Sequence, residues 1–431
     1  MRPYTLRLVD RELDDLLAAL PAVALEGPKG VGKTATAERR VRNVVRLDEP
    51  ARRQLAAADP ALVLAAEPPL LLDEWQHVPA LWDAVRRAVD AGAAPGHFLL
   101  AGSAAPTTPP THSGAGRIVS LRMRPLALAE RDLGPATVSL HALLAGTRPP
   151  VEGRTDVELA RYTHEILASG FPGLRTLSGR TLRAQLDGYL ARIVDRDIVE
   201  QGVALRKPDA LRRWMTAYAA ATATSTSFEK IRRAASAGED DAPAARNTAA
   251  SYRDVLERLW ILDPLPGWLP SRSPLARLAQ APRHHLADPA LAARLLGVSE
   301  GALLRGEPSP FGDAFTRASP RDGTLLGQLF ESLVTLSVRV YAQTAEARVH
   351  HLRTHDGRHE VDLIVERDDR RVVAFEVKLS PLVEDRDVQH LHWLQAQLGA
   401  DLLDAAVITT GSHAYRRPDG IAVIPAALLT A

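Results

Sequence analysis

Apolar residues gather in five short runs ahead of Pro125: Ala22 to Leu25, Val44 to Leu47, Leu70 to Leu72, Phe98 to Ala101 and Ile118 to Leu121. Each run reads as a buried strand, and amphipathic helical stretches lie between several of them. Strands alternating with helices predict an α/β fold with a parallel sheet covered on both faces. A Pro-, Thr- and Gly-rich break at Pro106 to Gly116 reads as a loop, and a second break spans Gly146 to Gly153.

Beyond that point the pattern turns helical. Tyr189, Leu190, Ile193, Val194 and Ile198 share one broad helical face, with Arg192, Asp195 and Arg196 on the other. Residues 208 to 262 read as several helices, the strongest over Ser251 to Leu262. Asp263 to Pro282 is proline-rich and reads as a junction. A loop at Glu307 to Gly323 precedes a helix at Leu325 to Tyr341. Two strand-like runs follow, Val361 to Val365 and Val372 to Val377, joined by a polar turn at Arg367 to Arg371. That is a hairpin signal.

The chain has 431 residues, more than one compact core holds. The pattern divides it into an N-terminal region 1–150, a helical middle 151–270 and a C-terminal α/β region 271–431. Formal net charge is +1, so nucleic-acid binding must rest on a local patch. There are no cysteines, which excludes disulfides, thiolate zinc sites and cysteine nucleophiles and fits a reducing cytosol. Arg2, Arg7, Asp10, Arg11, Glu12 and Asp14 break the N-terminus, so it does not read as a signal peptide. No apolar stretch approaches the ~20 residues of a membrane span. The expectation is a cytoplasmic protein with no membrane partner.

Gly27-Pro28-Lys29-Gly30-Val31-Gly32-Lys33-Thr34 matches G-x-x-x-x-G-K-[ST] after a strand and before a helix. Glycines let the backbone curl so that N–H groups point at phosphate oxygens. The following helix adds the positive end of its dipole. Lys33 supplies a charge to the β- and γ-phosphates of ATP, and Thr34 a hydroxyl to Mg²⁺. Lys29 is counted with the loop but reads as a solvated charge. In Leu70-Leu71-Leu72-Asp73-Glu74 an apolar strand delivers Asp73 to the metal shell, where Glu74 polarises the attacking water. Ser103, at the end of another strand, reads as a polar sensor of the γ-phosphate or as an ordinary strand-end serine. Arg117 reads as an arginine finger, in cis or toward a neighbouring subunit of a homo-oligomer, with Arg122 and Arg124 competing for that role.

Leu72-Asp73-Glu74-Trp75-Gln76-His77-Val78-Pro79, Ala101-Gly102-Ser103-Ala104, Gly116-Arg117-Ile118 and Arg124-Pro125-Leu126-Ala127 together carry a resemblance. The chain resembles the prokaryotic AAA-type P-loop ATPases that carry a C-terminal domain of unknown function. Ala101 stands where that family usually has threonine, and Trp75 where it has an aliphatic residue. The resemblance spans nearly the whole chain. For the middle it implies helical and winged-helix structure, with Arg246, Asn247, Thr248, Ser251 and Arg253 on or near one helix able to enter a DNA groove or to pack between domains.

A second constellation lies in the hairpin. Side chains in a strand alternate faces, so Glu376 and Lys378 share one. A turn centred on Asp369 sets Asp362 opposite Glu376, although a one-residue slip would undo this. Two carboxylates and a lysine then converge, as metal-assisted phosphodiester cleavage requires: Asp362 and Glu376 as Mg²⁺ ligands, Lys378 as an orienting charge. Glu331, on the preceding helix, either completes the shell or is a solvated helix residue. Leu325 to Ile408 resembles the PD-(D/E)XK nuclease superfamily, with Val361 where its proline stands. That resemblance implies DNA as a partner, either cut at the site or only bound by it. The alternative function is a nucleotide-controlled switch or scaffold. His350, His351, His355 and His359 cluster in sequence, but the region reads as strand and turn, not as a zinc-binding helix. Gly238-Glu239-Asp240-Asp241 reads as a solvated loop.

Overall fold

The computed structural model describes residues 4–106, 114–203, 205, 207–236, 244–269, 280–306, 325–354 and 357–431. The acidic run Gly238 to Asp241, His355, the loop Glu307 to Gly323 and most of the break after Pro106 lie outside the described residues.

Helix α1 (Leu8–Ala19) opens the described chain and leads into β1 (Ala22–Glu26). After it come α2 (Lys33–Glu38), β2 (Asn43–Arg46), β3 (Leu70–Asp73), α3 (Ala80–Asp90), β4 (Phe98–Gly102) and β5 (Val119–Arg122). The strands form one sheet in the order β2-β3-β4-β1-β5, with every pairing parallel. All five expected strands are present. Their period-two alternation sorts the two faces. Val23, Leu25, Leu71, Leu99 and Leu121 pack with Val9 and Leu13 of α1. Ala22, Ala24, Leu70, Leu72 and Leu100 pack with Leu81, Trp82 and Val85 of α3. Runs that are apolar on both faces are what a doubly covered parallel sheet demands.

The middle is helical: α4 (Gly179–Arg192), a π-helical stretch Ile193–Asp197, α5 (Pro208–Ala220), α6 (Arg246–Arg258) and α7 (Pro289–Leu295). The helix expected through Leu262 stops at Arg258. Trp260 turns to φ 61°, with the Arg122 guanidinium 3.9 Å from its ring centroid. Leu262 then bridges to Leu286 and Leu265 to Arg283. Tertiary contacts thus override a local helical period. Between α4 and α8, strand pairing among the described residues is limited to isolated bridges.

Helix α8 (Leu325–Thr344) and α9 (Asp385–Leu398) flank a seven-stranded sheet. Its strands are β6 (Gly153–Arg154), β7 (Arg348–Arg353), β8 (Glu360–Glu366), β9 (Val372–Val377), β10 (Leu402–Thr409), β11 (His413–Arg416) and β12 (Ala422–Pro425), in the order β6-β11-β12-β10-β9-β8-β7. Val373, Phe375 and Val377 face the same core as α8, whereas Val372 and Ala374 pack with Val388, Leu391 and Leu394 of α9. Only the first half of β8 carries the alternation that marks a strand in sequence; β9 is buried throughout. Every residue of β10 is buried, and a fully buried run is ambiguous by periodicity alone.

One charge cluster ties these regions together. Asp263 Oδ2 accepts from Arg124 Nε at 2.8 Å, and Arg339 lies 3.0 Å and Arg122 3.6 Å from Oδ1. Burial alone would raise the Asp263 carboxyl, but the three arginines outweigh it and hold it far below the usual carboxylate range. Replacing Asp263 with asparagine leaves three arginines half-buried or deeper without their counter-charge. We expect Asp263→Asn to cost about 3–5 kcal/mol in urea unfolding. Glu67→Gln breaks the exposed Arg42–Glu67 pair and should stay within roughly 0.5 kcal/mol of wild type.

Candidate functional site: a phosphate loop and a carboxylate cluster

The loop between β1 and α2 curls over the C-terminal edge of the first sheet. A Cβ on Gly27 would lie 2.2 Å from the Met123 carbonyl oxygen, so only glycine allows the loop to leave β1 here. Gly32 caps α2 with φ 106°, in the left-handed region. Val31 anchors the loop in the core, and Gly30 forms part of its bend. Lys33 Nζ donates to the Gly27 and Pro28 carbonyls at 2.8 and 2.9 Å. Its ammonium is buried, which lowers its pKa to about 8 against the pull of Glu74 and Asp73.

Thr34 Oγ1 donates to Asp73 Oδ1 at 2.9 Å, so the hydroxyl and the strand-end carboxylate meet directly. Burial and the neighbouring Glu74 push Asp73 up to about 6, opposed by the Thr34 hydrogen bond and Lys33. Glu74 sits at φ 56°, an uncommon conformation for a residue with a side chain. Ser103 Oγ donates to Glu74 Oε2 at 2.6 Å, and the Gln76 amide donates to the same oxygen. Ser103 therefore holds Glu74. Gln76 is a positioning residue that the sequence reading missed, although it stands in the motif string. Thr34, Asp73 and Lys33 form an oxygen pair beside a buried cation, a donor set that fits a Mg²⁺-bound triphosphate.

Two assignments are corrected. Lys29 is no free loop charge: Nζ lies 2.6 Å from Asp197 Oδ1 and 3.6 Å from Glu200, and Tyr189 donates to its carbonyl at 3.1 Å. Arg117 precedes β5, whose Val119 pairs with Val23 near the start of β1. It therefore lies at the edge of the sheet opposite the phosphate loop, ion-paired to Asp90 at 2.9 Å, and does not serve this chain's own loop. Arg122 and Arg124, at and beyond the other end of β5, are engaged by Asp263.

In the C-terminal region, β8 and β9 pair from Glu366–Val372 to Leu363–Phe375. One further step in that register sets Asp362 across from Glu376. The Val377 N–H donates to Asp362 Oδ2 at 2.8 Å, and Lys378 Nζ lies 3.5 Å from Glu376 Oε2. Glu331 joins them through Arg283, which contacts Glu331 and Glu360 and lies 2.9 Å from Asp362 Oδ1. Sequence reasoning brought Asp362, Glu376, Lys378 and Glu331 together but missed Arg283 and Glu360. Burial and nearby Asp362 hold the Glu376 carboxyl far above its ordinary range. Burial also raises Glu331 to about 8 despite Arg283. For Asp362, Arg283 and Lys378 outweigh burial and lower it.

The residues present do not fit a divalent ion in this arrangement. Among the described residues no group of three or more His, Asp or Glu side chains is placed to hold one. A divalent ion ~4 Å from the guanidinium would meet a repulsion of roughly 8 kcal/mol at an effective dielectric of about 20. The metal role expected of Asp362 and Glu376 is corrected accordingly. His359 is stacked on Trp393, with ring centroids 4.1 Å apart, and among the described residues it joins no group placed to hold a metal.

Residues 20–131, which carry the parallel sheet, the phosphate loop and the Asp73–Glu74 strand end, match a family model described as an AAA domain. Residues 159–302 and 326–429 match two domains of unknown function, DUF8612 and DUF4143. Two uncharacterised proteins, Mb2031c of Mycobacterium bovis and Rv2008c of Mycobacterium tuberculosis, are each 24% identical over 413 residues, covering 94% of this chain and 80% of theirs. Among solved structures, a Walker-type ATPase of Pyrococcus abyssi aligns with TM-score 0.38 and 14% identity over 68% of this chain and 98% of that one. The ORC2 protein of Aeropyrum pernix aligns with TM-score 0.33 and 14% identity over 69% and 94%. No helix among the described residues is long and apolar enough to cross a membrane.

The buried Lys33 ammonium gives a pH signature. Between about 8 and the ordinary 10.5 the unfolded chain keeps a proton that the nucleotide-free fold has lost, so the fold gains stability as pH rises through that window. Lys33→Met should remove that gain in pH-dependent thermal melts. ATP binding near pH 9 should take up a proton, seen as buffer-dependent heat in calorimetry of the wild type.

Proposed function

We propose that this chain binds and hydrolyses ATP with Mg²⁺ and uses the nucleotide state to control DNA held by its helical middle and C-terminal regions. The observation that carries the nucleotide part is the Thr34–Asp73 contact of 2.9 Å beside the buried Lys33 ammonium. In this reading Lys33 leaves the Gly27 and Pro28 carbonyls for the β- and γ-phosphates. Thr34 and Asp73 would hold the metal, which would supply positive charge against the phosphates. Glu74 takes a proton from the attacking water, and Ser103 and Gln76 keep its carboxylate oriented. An arginine finger from Arg117 would have to reach a neighbouring copy, which is the homo-oligomer part of the proposal.

The DNA part rests on the nuclease-like strand register and on an exposed basic face. Arg246 at the start of α6 and Arg233 beside it are both exposed, though each is paired with Glu229, and α6 also carries Asn247, Thr248, Ser251 and Arg253. Helix α6 is followed by two isolated antiparallel bridges, at Leu262 and Leu265, which favour the winged-helix reading of the middle without forming strands. The place of Arg283 among the carboxylates favours a switch that binds DNA over one that cuts it.

Single-turnover hydrolysis tests the first part. Glu74→Gln should bind Mg-ATP normally and hydrolyse it ~10²–10⁴ times more slowly. Ser103→Ala should lower the rate constant about tenfold with little change in affinity. Lys33→Ala should abolish binding; unchanged affinity in that variant sinks the reading. For the second part, gel-shift assays should show salt-dependent DNA binding weakened in Arg246→Ala, and wild-type protein with Mg²⁺ should leave supercoiled DNA intact. Nicking that disappears in Asp362→Ala would restore a cutting site.

A further inference from the structure

The carboxylates of the C-terminal cluster already hold a cation of the chain's own. Arg283 is only 2% exposed. One end of its guanidinium contacts Glu331 and Asp362 and the other contacts Glu360. Its backbone is fixed on both sides, donating to the Leu265 carbonyl at 2.9 Å and accepting from the Leu265 N–H at 2.8 Å. The guanidinium is thus delivered by an anchored segment of the DUF8612 span into a site on the DUF4143 span. Glu376 Oε1 is buried without a hydrogen-bond partner, an oxygen that the guanidinium does not serve.

We propose that the Arg283 guanidinium stands in for a divalent cation at this carboxylate site, so that the wild-type chain takes no metal there and the site accepts one only when Arg283 is neutralised. The proposal rests on reading the site as a diverged metal-dependent one. Buried carboxylates require a positive charge among them. A guanidinium supplies it as a planar fork that spreads over several oxygens, and it never loses its proton. A divalent ion supplies the same charge as a compact centre that needs those oxygens for itself. The two compete for one set of ligands. The fixed one comes with the fold, whereas the ion must be captured from solution.

The test titrates nucleotide-free, full-length protein with Mn²⁺, following free Mn²⁺ by electron paramagnetic resonance. Wild type should show no saturable site that depends on Asp362. Arg283→Gln should gain one site per chain and lose it again when Asp362→Asn is added. A wild-type site removed by Asp362→Asn overturns the substitution but leaves the metal-site reading standing. Absence of a site in both wild type and Arg283→Gln overturns the two together, since the acids would then not be arranged for a metal. Should Arg283→Gln fail to fold, Arg283→Gln combined with Glu360→Gln removes one of the acids left uncompensated and carries the same comparisons.

Discussion

The connections between regions depend on one rule, that a charge removed from water needs a partner. Asp263 meets it with Arg122 and Arg124 from the end of the first sheet and Arg339 from α8. These arginines come from the strand that borders the phosphate loop and from the helix that covers the second sheet. This carboxylate is one fixed point where the first sheet meets the rest of the molecule, beside the Arg131–Glu165 pair and the Gln343 amide on the Arg122 carbonyl. Apolar packing joins the same parts, since one continuous core contains Val23 of β1, Trp214 of α5 and Phe375 of β9. Burial supplies most of the free energy without direction. The charge cluster supplies the direction.

The phosphate loop follows the same rule with less symmetry. Its lysine is buried against two backbone carbonyls, neutral partners for a full positive charge. Glu74 is held in an uncommon backbone conformation by Ser103 and Gln76. Such strain persists only where surrounding contacts over-determine it, and it concentrates at functional sites. Lys29 carries the loop outward to Asp197 and Glu200 at the π-helical stretch of the middle region. That ion pair and the Asp263 cluster are two separate physical links from the nucleotide side to the helical middle. A change in loop shape on nucleotide binding would be felt through both.

Much of the candidate chemistry was legible because it is local. The phosphate loop is eight consecutive residues whose spacing is dictated by backbone geometry. Asp73 and Glu74 are marked by the apolar strand that ends at them. The hairpin was legible from its two runs and polar turn, but its register was not; the ladder that pairs Glu366 with Val372 decides it. What failed was also instructive. Arg117 looked like a finger by its place after a loop, but a parallel strand begins at the far edge of the sheet and carries it away from the phosphates. The helix through Leu262 was cut short because Trp260 packs under Arg122, a contact that no helical period can announce.

Taken alone, the amino-acid order determined the strands of the first sheet, the glycine-rich curl after β1, the strand-end acids and the pairing of β8 with β9. Each depends on neighbours in the chain, through side-chain period, glycine backbone freedom or turn geometry. The tertiary structure alone decided which charges meet: Arg283 with Glu331 and Asp362, Asp263 with three arginines, and Lys29 with Asp197. An ion pair between distant positions has no spacing rule, and any of the chain's many arginines satisfies it on paper. Only folding selects the partner, by placing both groups where water cannot solvate either one alone.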